Sequence, residues 1–154
     1  MSPDSSAITS FRGPYRFLSN FYRMGLVLDG AFYPSAEHAF QAFKAATPES
    51  HAYIQGAPNP RESKARGRQC VLRPEWADPS FRLAVMLRVL YAKFDHHTLR
   101  QQLLATGDRV LVEGNTWGDR YWGQCPIGQG QNHLGRLLMQ VRQDLRRREE
   151  VGDE

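Results

Sequence analysis

Cysteine is scarce in this 154-residue chain: Cys70 and Cys125 are the only two. One disulfide between them is conceivable, but so low a count argues against a secreted disulfide scaffold and for a reducing cytoplasm. No Cys-x-x-Cys pair or zinc spacing occurs, and the five histidines are scattered apart from His96-His97. Neighbours at i, i+1 do not share a helix face. No metal site and no cofactor are therefore expected. Long apolar runs are also missing: none approaches the ~18 residues of a membrane span. Met1 to Ser10 lacks the basic and apolar regions of a signal peptide, and no partnership with a membrane is expected. Neither sign of charge dominates: 20 Lys and Arg stand against 16 Asp and Glu, a net charge of +4. That balance tolerates a phosphate-bearing ligand or nucleic acid without demanding either. The basic run Arg146-Arg147-Arg148 meets Glu149-Glu150 at once and reads as a solvated helix end. No internal repeat or second domain is evident. The length suits one domain with a real core. Residues 1–10 read as a loose tail, 11–148 as the domain and 149–154 as a frayed end.

The elements are announced by their punctuation. Leu26-Val27-Leu28 and Ala31-Phe32-Tyr33 flank Asp29-Gly30, the signal for a hairpin with a type I′ turn. Ser35 is placed to cap a helix running to about Ala46, and Thr47-Pro48 ends or restarts it. Asn59-Pro60 starts a short helix through Ala65. Asp78-Pro79 opens a long helix carrying Phe81, Val85, Leu87, Val89, Leu90 and Phe94, apolar on most sides. Thr98 to Ala105 forms another helix, stopped by Gly107. Arg109 to Glu113 is a strand candidate, and Leu134, Leu137, Leu138, Val141 and Leu145 mark a closing helix. Mainly α, with a small antiparallel hairpin, is the predicted class.

Three polar stretches carry candidate chemistry. On the first helix, Glu37, Gln41 and Lys44 fall in one stripe at ~100° per residue. Such a stripe is the wet face of an ordinary amphipathic helix or the wall of a pocket. Lys44 lies ~10 Å beyond Glu37 along the axis and leans back toward it. A lysine amine attacks carbonyls and imines, and a carboxyl supplies and removes protons. An N-ribosyl amine opens to an imine, so this pair suits cleavage of an N-glycosidic bond. The second stretch, Phe11 to Tyr22, is an aromatic, turn-rich loop that plugs the core or sets Arg16, Ser19 and Asn20 beside a ligand. The third, Gly114 to Gly130, is too rich in glycine for a helix. Its Trp117 and Trp122 offer stacking faces, and Gly118 and Gly123 let backbone approach a ligand. Gly128, Gly130 and Asn132 lead into a helix N-terminus, a ready anion site. Arg66 and Arg68, in Lys64-Ala65-Arg66-Gly67-Arg68, are either surface or a second phosphate grip. His38 is read as a helix residue satisfied by a polar neighbour.

A family pattern joins these pieces. Phe17-Leu18-Ser19-Asn20-Phe21, the Asp29-Gly30 hairpin and Tyr33-Pro34-Ser35-Ala36-Glu37-His38-Ala39-Phe40-Gln41-Ala42-Phe43-Lys44 resemble the NADAR (YbiA-like) family. So do Leu72-Arg73-Pro74-Glu75-Trp76, Lys93-Phe94, Ala105-Thr106-Gly107-Asp108, Leu111 to Gly123, and Gly128-Gln129-Gly130-Gln131-Asn132-His133-Leu134-Gly135. The order matches from about Phe11 to Leu145. The resemblance implies an α-rich single domain, a YbiA-like multihelical fold, binding ADP-ribose-containing or ribose-phosphate ligands. It also implies N-glycoside hydrolysis, on ADP-ribosylated guanine or on ribosylamino-pyrimidine phosphates of riboflavin synthesis. ADP-ribosylated DNA or RNA is then a partner, and a non-catalytic ADP-ribose module is the contrasting class. By resemblance Glu37 and Lys44 are the reactive pair, and Trp76, Trp122 and Asp119 are ligand contacts. The chain departs from some relatives at Gln124, where they carry an acid, and at Phe43, where many have a smaller residue.

Overall fold

Leu26–Leu28 (β1) and Ala31–Tyr33 (β2) pair antiparallel with Leu28 opposite Ala31, so Asp29 and Gly30 alone make the turn. Their φ values of 52° and 80° are those of a type I′ turn, which the Asp-Gly sequence favours. The structure, a computed structural model, describes residues 6–152. Those residues divide into two compact units: 20–96, and 6–19 with 97–152.

In the unit 20–96 the hairpin leads into α1 (Ala36–Ala42), and Ser35 caps it by accepting the His38 N–H. The helix is shorter than its sequence pattern. Phe43 is its C-cap, and the chain then turns, with Lys44 N–H on the Gln41 carbonyl at 3.3 Å. Thr47 restarts a helix, α2 (Pro48–Gln55), by accepting from Ser50 N–H. Asn59 caps α3 (Pro60–Gln69) through Glu62 N–H at 2.8 Å, and this helix runs past Ala65 because Gly67 stays inside it. Asp78 caps α4 (Pro79–Lys93). Val85, Met86, Val89 and Leu90 of α4 are buried with Ala36, Ala39 and Phe40 of α1 in the core. Lys93 closes α4 wholly buried, its Nζ 5.2 Å from the Phe94 ring centroid and 6.0 Å from that of Tyr22. His38 is as expected: Nδ1 meets the Ser35 hydroxyl at 2.7 Å and Nε2 the Ala57 carbonyl at 2.9 Å.

The other unit holds a 3-10 turn at Gly13–Leu18, α5 (His97–Ala105) and α6 (His133–Gly152). Three expectations are corrected here. Residues 1–5 and 153–154 of the expected tails lie outside the described residues, but residues 6–10 are not loose. Ile8, only 2% exposed, bridges Leu111, with its N–H on Val110 O and its carbonyl receiving Val112 N–H, both at 2.8 Å. At the other end, residues 149–152 continue α6. The strand expected over Arg109 to Glu113 reduces to that one bridge. The Asn132 side chain replaces a second strand, accepting from Glu113 N–H and donating to the Leu111 carbonyl, each at 2.9 Å.

Candidate active site

The Glu37/Gln41 stripe is not a wet face. Glu37 is 7% and Gln41 5% exposed, and Gln41 Nε2 donates to Glu37 Oε1 at 2.8 Å. A buried carboxylate costs folding free energy unless it is hydrogen-bonded, so an amide spaced i, i+4 from it is a local solution that helix geometry supplies. Glu37 N–H, in the first turn, donates to the Asn20 carbonyl at 3.0 Å. Asn20 is buried, its Nδ2 on Met86 Sδ at 3.4 Å and its Oδ1 without a hydrogen-bond partner. Two buried side-chain acceptors, Asn20 Oδ1 and Gln41 Oε1, are thus unpaired in this unit.

Lys44 stands two residues beyond the helix, half-buried. Its backbone is held from the far side: Lys44 O accepts Arg73 N–H and Ala46 N–H reaches Val71 O, both at 2.9 Å, around an Ala45–Leu72 bridge. Burial pushes its ammonium down from the ordinary 10.5. The charge of Glu37 opposes that fall, while Arg68 and Lys64 deepen it. The four groups therefore share one electrostatic neighbourhood: a carboxylate, an amine biased toward its free base, and two further cations. Such an amine is more nucleophilic at neutral pH than a solvated lysine. Arg68 is exposed; Lys64, not singled out beforehand, sits four residues earlier on the same face of α3. The signal that finds Lys64 is this i, i+4 spacing with Arg68.

Other expected contacts have structural work. Arg66 donates to Tyr53 O at 2.8 Å, lies 4.1 Å from the Tyr53 ring centroid and pairs with Glu62 at 3.5 Å, which turns it away from a phosphate role. Trp76 is 7% exposed and meets the rings of Phe40 at 5.1 Å, tilted, and Phe81 at 6.0 Å, edge to face, so little of its ring is open to a base. Phe43 packs inward on Tyr33 and His51, at 6.0 and 5.3 Å between centroids.

In the other unit Arg16 is exposed, and Ser19 is half-buried with its N–H on Arg16 O at 3.0 Å. The 114–130 loop is ordered by its own polar groups. Asp119 Oδ1 accepts Tyr121 and Trp122 N–H at 3.1 and 2.9 Å, and buried Asn115 spans Glu113 and Asp119. Asp119 is thereby a loop former. Gly118, Gly128 and Gly130 hold φ of 85°, 80° and 144°, while Gly123 lies against Glu113, with no room for a Cβ. Gln124 reaches the Gly130 carbonyl at 3.4 Å. Trp117 is 59% exposed, and half-buried Trp122 meets Tyr121 edge-on at 5.0 Å. The anion site expected at the start of α6 is absent. The N–H groups of Gln131, Asn132, His133 and Leu134 donate to the carbonyls of Arg120, Gly123, Tyr121 and Trp122 at 2.7 to 3.2 Å. Gly128, Gly130 and Asn132 therefore shape the loop and present no phosphate cradle. Within this unit a cavity of about 320 Å³ opens between Thr9–Arg12 and the loop, lined by Arg12, Asn115, Gln124, Cys125 and Gly128 among others. Both cysteines are free thiols.

A buried, amide-held carboxylate beside a depressed lysine is the equipment of acid–base and imine chemistry, and comparison with known proteins narrows the class. The chain is 39% identical over 134 residues to the N-glycosidase YbiA of Escherichia coli strain K12, covering 85% of this chain and 82% of that protein. The riboflavin biosynthesis protein VVA0006 of Vibrio vulnificus is 37% identical over 132 residues, 84% of this chain and 35% of that longer protein. The NMR structure of the E. coli protein YbiA superposes with a TM-score of 0.85 at 34% identity, over 96% of this chain and 89% of that one. The class so defined is a hydrolase of N-glycosyl bonds on a mainly helical YbiA-like fold. The chain belongs to the NADAR family, whose domain model matches residues 9–146 and so runs through both units.

Proposed function

We propose that the chain cleaves the bond between ribose C1 and an amino group of a heterocycle, with ADP-ribosylated guanine, in nucleic acid or nucleotide, as its substrate. The observation that carries the chemistry is the Glu37–Gln41 hydrogen bond at 2.8 Å next to a lysine whose ammonium burial disfavours. In the proposed sequence the ribosyl ring opens as the C1–O4′ bond breaks, its electron pair going to O4′, and the exocyclic nitrogen forms an iminium with C1. The free amine of Lys44 adds to C1, and the extra proton this leaves on its nitrogen passes to the O4′ alkoxide. Glu37 gives its proton to the heterocyclic nitrogen, which leaves as the neutral amine. Water then hydrolyses the Lys44 imine, Glu37 taking up a proton, and the freed sugar recloses. Lys64 and Arg68, one helical turn apart beside Lys44, favour a ligand with two phosphates in a row, as in ADP-ribose.

A second reading, hydrolysis of a ribosylamino-pyrimidine phosphate, is favoured by the riboflavin biosynthesis names of the Vibrio vulnificus and Zea mays relatives. One assay separates the two: purified protein is given ADP-ribosylated guanine in an oligonucleotide and, in parallel, a ribosylamino-pyrimidine phosphate. Release of ADP-ribose with kcat/KM at least about tenfold above the other substrate, a difference of ~1.4 kcal/mol in transition-state binding, supports the first reading. The reverse preference gives the second. Binding of ADP-ribose with turnover of neither makes the chain a binding module.

A further inference from the structure

We propose that Gly67 is a positioning residue for Glu37. By letting the α3 backbone close on Gln41, it fixes that amide with nitrogen toward Glu37 Oε1, where it lowers the proton affinity of the carboxyl group. The inference rests on the reading of Glu37 as the proton donor and acceptor.

The geometry runs through three residues on two helices of one unit. Gln41 Nε2 donates to Glu37 Oε1 at 2.8 Å. The other end of the amide, Oε1, is buried and has no hydrogen-bond partner. It faces buried Gly67, where a Cβ would overlap Oε1 and crowd the Gln41 Cδ and Cβ at 3.0 and 3.3 Å. The Cα–H of Gly67 in that direction therefore points at Oε1, a weak C–H···O contact. Reversing the amide would set its two N–H donors against that Cα–H and its oxygen against a carboxylate. Both donors would be stranded in a buried place, so the observed orientation is held. A permanent donor on Glu37 Oε1 disfavours a proton there. The same donor steadies the ionised carboxylate. Gly67 has another consequence: it spends helix propensity in the middle of α3. Close approach to Gln41 accounts for that loss.

The test uses Gly67→Ala, which touches neither Glu37 nor Gln41 covalently and improves helix propensity, together with Gln41→Leu and the double variant. Thermal melts confirm folding. The primary readout is the titration of the Glu37 carboxyl carbon by ¹³C NMR in the free protein, which needs no substrate. Loss of one hydrogen bond to the ionised form should raise that titration by about half to one pH unit in each single variant. The double variant should move no further than Gln41→Leu alone, because both act through one bond. An unmoved Glu37 titration in Gly67→Ala, or additive shifts in the double variant, overturns the proposal. In turnover, Gly67→Ala should lower kcat with KM within about twofold and shift the alkaline limb of the rate profile, where Glu37 loses the proton it donates, upward with the NMR value. A wild-type profile in Gly67→Ala while Glu37→Gln is inactive defeats the positioning role and leaves the reaction intact. An active Glu37→Gln defeats the reading on which the role depends.

Discussion

Asn132→Ala tests whether Asn132 holds a ligand or holds the protein. Its side chain is 5% exposed and bridges two backbone groups, Glu113 N–H and the Leu111 carbonyl, at 2.9 Å each. Its backbone sits at φ 53°, where a Cβ is strained. Removing the amide takes one partner from each of two inward-facing backbone groups, at about 1–3 kcal/mol apiece. Alanine at positive φ adds roughly 1 kcal/mol. The expected loss is about 3–7 kcal/mol, a large part of the roughly 5–15 kcal/mol that holds a domain. For a chain of this size that lowers Tm by about 6–28 °C. Asn132→Gly keeps the backbone and loses only the hydrogen bonds, so it should recover about 1 kcal/mol over alanine. Calorimetry and urea unfolding measure the series. An Asn132→Ala protein that melts within about 2 °C of wild type but no longer binds ADP-ribose would restore the ligand role and refute the structural one.

Trp76→Ala should destabilise by about 3–5 kcal/mol by emptying a core site, and Trp76→Phe should leave KM within about twofold; a stable Trp76→Ala with raised KM contradicts this. Lys64→Ala and Arg68→Ala should each raise KM for a phosphorylated substrate about tenfold or less at low salt, with the effect fading as salt rises; Arg66→Ala, by contrast, should act on stability alone, read by parallel kinetics and melts. Lys93, buried, titrates at about 7 when folded against an ordinary 10.5. Between those values the unfolded chain binds more protons, so stability should climb with pH from about 7 toward 10.5 and be lowest below 7. Urea midpoints across that range check it, and Lys93→Met should flatten the rise; an equal slope in the variant counts against it.

Where the fold was legible, a local device wrote it. Ser35, Thr47, Asn59 and Asp78 each cap the helix that follows, and Asp29-Gly30 turns the hairpin. Where it was not legible, a distant group decided. Glycine within Pro60–Gln69 looks like a stop, and only the approach of Gln41 explains its place inside a helix. Arg109 to Glu113 has strand composition, yet an asparagine some twenty residues away takes the hydrogen bonds a strand would have made. Ile8 sits in a stretch with no local pattern, and its order comes from pairing with Leu111. The site divides in the same way. Spacing put Glu37 and Gln41 on one face, but burial and the hydrogen bond between them are tertiary facts. The glycine loop looked like an anion cradle because its composition is that of one. Its carbonyls instead cap α6 from within, which no spacing rule discloses.

An imine between Lys44 and ribose C1 is open to reductive trapping. Protein turning over ADP-ribosylated guanine is treated with borohydride, digested, and mapped by mass spectrometry. The expected product is an ADP-ribosyl adduct on Lys44, lost with turnover in a folded Lys44→Ala protein. Full turnover with no adduct at Lys44, or an active Lys44→Ala protein, contradicts it.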